Sequence, residues 1–233
     1  MIAMKWQGKK KAVTFSFDDG VTQDIRLLEL FNRYGLKGTF NLNSELLGKS
    51  GSLDRNGRTV RHDKISPEKV KDLYQGHEVA VHTLTHPDLT KQSDEEVVRQ
   101  VEEDRKNLSA LVGYDVVGMA YPCGTFDDRV VNLIEKHTGV KYSRTVISTH
   151  GFVPQKDDLL RLNASVYYIE DCLEEVVDEF LKADDGEERL LYIWGHSYEM
   201  DAEYISWEKF EQICKKLSKR PDIFYGTNAE VLL

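Results

Sequence analysis

A chain of 233 residues with 40% hydrophobic and 10% aromatic content can bury a sizeable core, and α/β barrels of this size commonly remain undivided, so one domain over 1–233 is expected. Forty acidic against 31 basic residues give a formal charge of −9. That balance argues against a nucleic-acid backbone or an anionic membrane as the main partner.

Residues 12–17 are an apolar, β-rich run ending in Asp18-Asp19-Gly20. A helix is predicted over 22–34, where Ile25, Leu28, Leu30 and Phe31 recur at roughly helical spacing. Residues 38–42 read as a second strand. The stretch 43–64 is polar, glycine-rich and aperiodic, which predicts a long loop; loops of that length are more often functional than accidental. Ser66-Pro67 opens the next helix, serine as N-cap and proline at the first helical position. A strand over 78–83 carries His82, and Ser93-Asp94-Glu95-Glu96 reads as a capping box leading a helix to about residue 112. Strands follow over 116–121 and 140–146, with a helix over 127–137 between them and a weaker strand over 160–166. A helix over 171–182, an apolar strand over 190–194 ending in Gly195-His196, a helix over 206–217 and a strand over 223–225 complete the series.

Repeated β-then-α units imply a parallel sheet. Seven or eight strands over this length predict an α/β fold and suit a barrel better than an open sheet. The polar motifs all fall at strand C-termini, where such barrels build their active sites. Cys123, Cys172 and Cys214 are odd in number and not closely paired, so neither a disulfide framework nor a Cys-x-x-Cys zinc site is expected. No run reaches transmembrane length, and residues 1–11 lack an apolar leader core. A cytoplasmic chain is expected, or a secreted one if a leader was removed.

Asp18-Asp19-Gly20 alone is commonly a turn, and His82-Thr83-Leu84-Thr85-His86 alone commonly fills a polar pocket. Gly195-His196 alone fits a core histidine. Their shared location is what carries meaning. Two imidazoles and one carboxylate form the ligand set of a catalytic zinc with an open position. A second carboxylate remains to serve as base beside the attacking water.

Thr14 to Gly20, His82 to His86, Tyr121-Pro122-Cys123-Gly124 and Leu191 to His196 together resemble the NodB-homology polysaccharide deacetylases, carbohydrate esterase family four, from residue 12 to the end. The resemblance implies an irregular (β/α) barrel in which Asp19, His82 and His86 hold one divalent metal. Zinc is the first expectation, with cobalt, nickel or iron compatible with the same ligands. It further implies Asp18 as general base and His196 as general acid. The amide of Cys123, flanked by Tyr121 and Pro122, would be the oxyanion donor. The expected activity is removal of N- or O-linked acetyl groups from a sugar or oligosaccharide. A metal-dependent C–N hydrolase acting on a small amide, ureide or formamide is the alternative, ahead of a non-catalytic carbohydrate-binding barrel.

The chain departs from the family pattern in two places. Ala120 stands where an arginine usually orients the base, and Tyr142-Ser143-Arg144-Thr145 replaces the usual Asp and Trp of the next motif. Arg144 is expected to supply the missing guanidinium, with Arg161 in reserve. His77 reads as structural, and His62, His137 and His150 as solvent-facing. Trp194, Tyr198 and Glu199 flank the expected acid and could shape a sugar pocket. Nothing in the chain specifies an oligomeric state.

Overall fold

The computed structural model describes residues 5–233. Its elements run β1 (Lys11–Asp18), α1 (Asp24–Tyr34), β2 (Thr39–Leu42), β3 (Ser52–Arg55), β4 (Arg58–Arg61), α2 (Pro67–Leu73), β5 (Glu78–Val81) and α3 (Asp94–Val112). Then come β6 (Gly118–Ala120), α4 (Asp128–His137), β7 (Tyr142–Ser148), β8 (Leu162–Ala164), β9 (Val166–Tyr167) and α5 (Leu173–Lys182). The chain finishes with β10 (Arg189–Gly195), α6 (Tyr198–Asp201), α7 (Trp207–Leu217), β11 (Ile223–Tyr225) and α8 (Asn228–Leu232).

One sheet has the order β8-β7-β6-β5-β2-β1-β10-β9, every pair parallel. Its ends, β8 and β9, are successive pieces of one segment: β8 pairs with β7, and after Ser165 β9 pairs with β10. Ser165 itself donates its N–H to the Tyr192 carbonyl at 2.8 Å. The ends therefore meet, giving the irregular barrel. β1 is buried along its whole length because it has neighbours on both edges. Ser16 to Asp18 pair with β2, and β11 covers Lys11 to Val13, which β2 leaves open.

Alternation along β1 sorts the core. Val13, Phe15 and Phe17 point outward into the main apolar cluster, with Phe31, Phe40 and Phe210 from the surrounding elements. Ala12, Thr14, Ser16 and Asp18 point inward, toward a smaller cluster with Tyr142, Leu162, Tyr192 and Trp194. The interior is partly polar. Glu78 accepts from Tyr142 and Thr39, each at 2.7 Å, and Asn228 of α8 accepts from Thr14 at 2.8 Å and donates to Tyr192 at 2.5 Å. Helix α8 thus closes the end of the barrel opposite the motifs. It is held by a full capping box between Thr227 and Glu230.

Three local expectations change. The stretch 43–64 contains the antiparallel hairpin β3–β4. Only one face of that hairpin is buried, with Val60 packed among Val21, Tyr198 and Ala202, which explains its lack of an apolar signature. At Ser93 only half of the capping box forms, the serine accepting from the Glu96 N–H. Glu96 instead pairs with Arg99 at 2.7 Å. The strand expected over 160–166 is split, because a 3-10 turn occupies 159–161 and the chain changes partner at Ser165.

Candidate active site

At the C-terminal ends of β1, β5 and β10 lies a cleft of about 580 Å³ whose lining includes Asp18, Asp19, His82, His86, Tyr121, Cys123 and His196. Asp18 is the last inward residue of β1. Asp19 then turns left-handed (φ 82), its N–H bound to the Asn41 carbonyl at 3.0 Å. Gly20 follows, also at positive φ (59), where a Cβ would come within 2.5 Å of Leu42 Cδ2. Glycine is the residue that meets both demands.

His82 follows β5, and its Nδ1 lies 2.8 Å from the Ala120 carbonyl. Bound that way Nδ1 carries the proton, and Nε2 is left with a free lone pair. Left-handed turns at Thr83 and His86 (φ 68 and 60), held by the Asn43 amide on the Thr83 carbonyl at 2.9 Å, bring the second imidazole back toward the first. One ligand atom each from Asp19, His82 and His86 falls within 4.8 Å of the others. Burial pushes the His82 pKa down to about 4 and also lowers that of His86, so both are neutral donors near pH 7. Burial opposes the charge on Asp19, yet the His62 hydrogen bond and the Lys64 ammonium hold its carboxyl well below the usual range. A carboxylate with two neutral imidazoles fits a divalent cation of the zinc type.

Asp18 lies beside this cluster. Burial would raise its pKa, but Arg144, together with the nearby His82 and His196 imidazoles, outweighs that and holds it below the ordinary value. The Arg144 guanidinium donates to Asp18 Oδ2, and the Asn41 amide donates to Oδ1 at 2.8 Å. Arg144 is buried, with its guanidinium 4.2 Å from the centre of the Trp194 ring. Arg161 is not near the base: it pairs with Asp128 at 2.6 Å and Asp158 at 3.1 Å.

His196 completes the cleft, its Nε2 3.9 Å from Asp18 Oδ2. Burial works against its charge, but Glu199, with help from Asp18 and Asp19, overrides it and pushes the pKa up to about 9. Glu199 Oε1 lies 3.3 Å from His196 Nδ1, Oε2 accepts the His196 N–H at 3.1 Å, and the Tyr167 hydroxyl donates to Oε1. The ionised Asp18 carboxylate and the charged His196 imidazole thus lie side by side in the cleft that the three clustered ligands also line.

The cleft walls place the remaining residues. Tyr121 presents its ring, while its hydroxyl donates to the Leu160 carbonyl at 2.9 Å. Pro122 is buried. Cys123 is left-handed (φ 58), with Sγ 3.9 Å from His86 Nδ1. Tyr167, Trp194 and Tyr198 also line the cleft.

Two of the histidines expected to face solvent do not stand alone. His62 Nε2 lies 3.1 Å from Asp19 Oδ2, and His150 Nε2 lies 2.5 Å from Glu170 Oε2, outside the cleft. Lys64 also escaped notice: its Nζ sits 3.3 Å from Asp19 Oδ1. The available signal was the two-residue spacing of His62 and Lys64, which puts both on one side of an extended segment.

The polysaccharide deacetylase family model matches residues 5–142. Peptidoglycan-N-acetylglucosamine deacetylase PgdA of Listeria monocytogenes is 29% identical over 127 residues, covering 53% of this chain and 24% of PgdA. The chain thus spans about a quarter of that relative's length. Among solved structures, the Xyl-CE4 domain of a multidomain xylanase from the hindgut metagenome of Trinervitermes trinervoides aligns with a TM-score of 0.61 at 19% identity, over 95% of this chain and 89% of that one. A pseudoenzyme of the same esterase family from Bacillus anthracis aligns with a TM-score of 0.57 at 16% identity, over 96% and 66%. At these identities the structural matches establish the fold.

Proposed function

The chain belongs to the polysaccharide deacetylase family, and from that premise we propose that it is a metal-dependent hydrolase removing acetyl groups from a carbohydrate. The observation that carries the proposal is the meeting of three cation-ligating side chains, Asp19, His82 and His86, with a carboxylate and an imidazole of opposite charge, Asp18 and His196. Bound there, a divalent cation such as zinc supplies the Lewis acidity that polarises an acyl carbonyl and acidifies an attacking water.

The chain's own residues do the rest. Asp18, kept ionised by Arg144 with the neighbouring imidazoles, accepts the proton that water must lose. The Cys123 amide, on the cleft wall, is the donor for the oxygen that gains charge; losing such a donor costs on the order of 3 kcal/mol. His196, protonated up to about pH 9, gives a proton from Nε2 to the departing amine or alcohol. Tyr121, Tyr167, Trp194 and Tyr198 line the cleft, and aromatic walls of this kind favour a sugar over a small amide. A binding protein without turnover has no use for a base and an acid held in opposite charge states.

The test is acetate release from chitooligosaccharides and from acetylated xylan, with and without chelator, by the wild type and Asp18→Asn. Acetate should appear from at least one substrate, stop on chelation and return with zinc. Asp18→Asn should slow it by about 10²- to 10⁴-fold. Release from neither substrate, or at an undiminished rate in chelator, overturns the proposal.

A further inference from the structure

The segment leaving the β3–β4 hairpin runs along the turn that follows β1. Val21 and Lys64 form an antiparallel bridge. The Ile65 N–H donates to the Gly20 carbonyl at 2.9 Å, and the Thr22 N–H to the Asp63 carbonyl at 2.8 Å. The hairpin is therefore joined by backbone bonds to the residues immediately after the paired aspartates. From this segment His62 reaches Asp19 Oδ2 at 3.1 Å. Lys64 reaches Oδ1 at 3.3 Å and the Asp19 carbonyl oxygen at 2.7 Å.

His62 is not one of the three clustered ligands; among the described residues those are Asp19, His82 and His86. It lines the same cleft and meets the carboxylate at Oδ2. Its ring is fixed by an edge contact with Tyr198, centroids 5.1 Å apart, and only 16% of its side chain is exposed. The two oxygens of Asp19 are consequently unlike. Oδ2 is held by the His62 imidazole, while Oδ1 lies 3.3 Å from Lys64 Nζ and 3.9 Å from His86 Nε2.

A carboxylate free to rotate must be oriented each time a cation binds, whereas one anchored by a fixed donor is oriented in advance. We propose that His62 is a positioning residue for the cation. By donating from Nε2 to Asp19 Oδ2, it fixes which oxygen faces His82 and His86 and so strengthens binding at the cluster. The inference rests on the metal centre of the preceding section and is independent of which substrate that centre serves.

The test uses the full chain and zinc alone as the probe, with affinity read from a competition titration against a chelating dye. His62→Ala should weaken zinc binding by on the order of 10- to 100-fold. His62→Gln, whose amide N–H can donate to the same oxygen, should recover part of that loss. Unchanged affinity in His62→Ala overturns the inference, as does a glutamine variant no better than alanine, since misfolding or lost packing would then explain the effect. Acetate release is read separately on the wild type. A chain that deacetylates nothing yet shows the graded His62 effect loses the proposed function and keeps this inference. One that deacetylates but binds zinc equally well without His62 does the reverse.

Discussion

Glu199 meets His196 at both the ring and the backbone N–H, and that pairing sets the expected pH behaviour. A general acid works only while protonated, so the alkaline limb of kcat/KM should follow the His196 pKa of about 9. In Glu199→Gln the carboxylate is gone and burial, which lowers the pKa, is left opposed mainly by the more distant Asp18. The limb should move to lower pH by roughly 1–3 units in a pH–rate series; a limb that stays in place removes Glu199 from this role. Residues read by motif (Asp18, Asp19, His82, His86 and His196) were legible because each lies at the end of a recognisable apolar run or in the turn just beyond it. Arg144 was legible only as a substitution, an arginine on the strand next to Ala120, where this chain lacks the arginine of the family pattern. Glu199 and His62 were not assigned their contacts, since each acts through a partner far away in sequence or across a turn, and no periodicity marks such pairs.

Backbone crowding rather than apolar patterning decides several boundaries between elements. Gly195 ends β10 immediately before His196, and a Cβ there would lie 2.0 Å from the Tyr168 ring. Tyr168 cannot easily yield, because its hydroxyl is bonded to the His196 carbonyl at 2.8 Å. Gly195→Ala should therefore cost about 1–3 kcal/mol by overpacking, read as a shift in denaturation midpoint, and should slow turnover by displacing His196. Wild-type stability and rate together would show that the strand has slack here. The long strands β1 and β10 and the helices α1, α3, α4, α5 and α7 were legible to within a few residues, because an apolar stripe repeats in each. The hairpin β3–β4 was not, since it buries only one face, at Val60 and Leu53 against Val21 and Tyr198, and leaves the rest polar. Helix α8 was missed for a related reason. It is short, and it serves the barrel through Asn228 hydrogen bonds rather than through a periodic apolar face.

For the whole molecule, stability against pH depends on buried groups whose shifts have opposite signs. His77 is buried between Phe31 and Phe40. Its Nδ1 accepts the Gly38 N–H at 3.2 Å, and its Nε2 lies 3.2 Å from Asn32 Oδ1. Burial, with a smaller push from Lys37, lowers its pKa to about 4. Unfolded, the same ring titrates near 6.5. Above that value both states are neutral and the contribution to stability is complete. Between 6.5 and 4 the unfolded chain takes up a proton that the folded ring refuses, so stability falls, by at most about 3 kcal/mol. Asp24 and Asp104 act in the other direction, because burial raises each to about 7. Their contribution is complete below the unfolded carboxylate range and is lost as pH rises through 7. The wild-type profile is thus a sum of opposed slopes, and the His77 part emerges only by difference. Glutamine can accept from Gly38 and donate to Asn32 without titrating. Relative to wild type, His77→Gln should gain up to about 3 kcal/mol as pH falls from 6.5 to 4, measured by urea denaturation at each pH. A constant difference across that range would show that His77 charges freely in the folded protein.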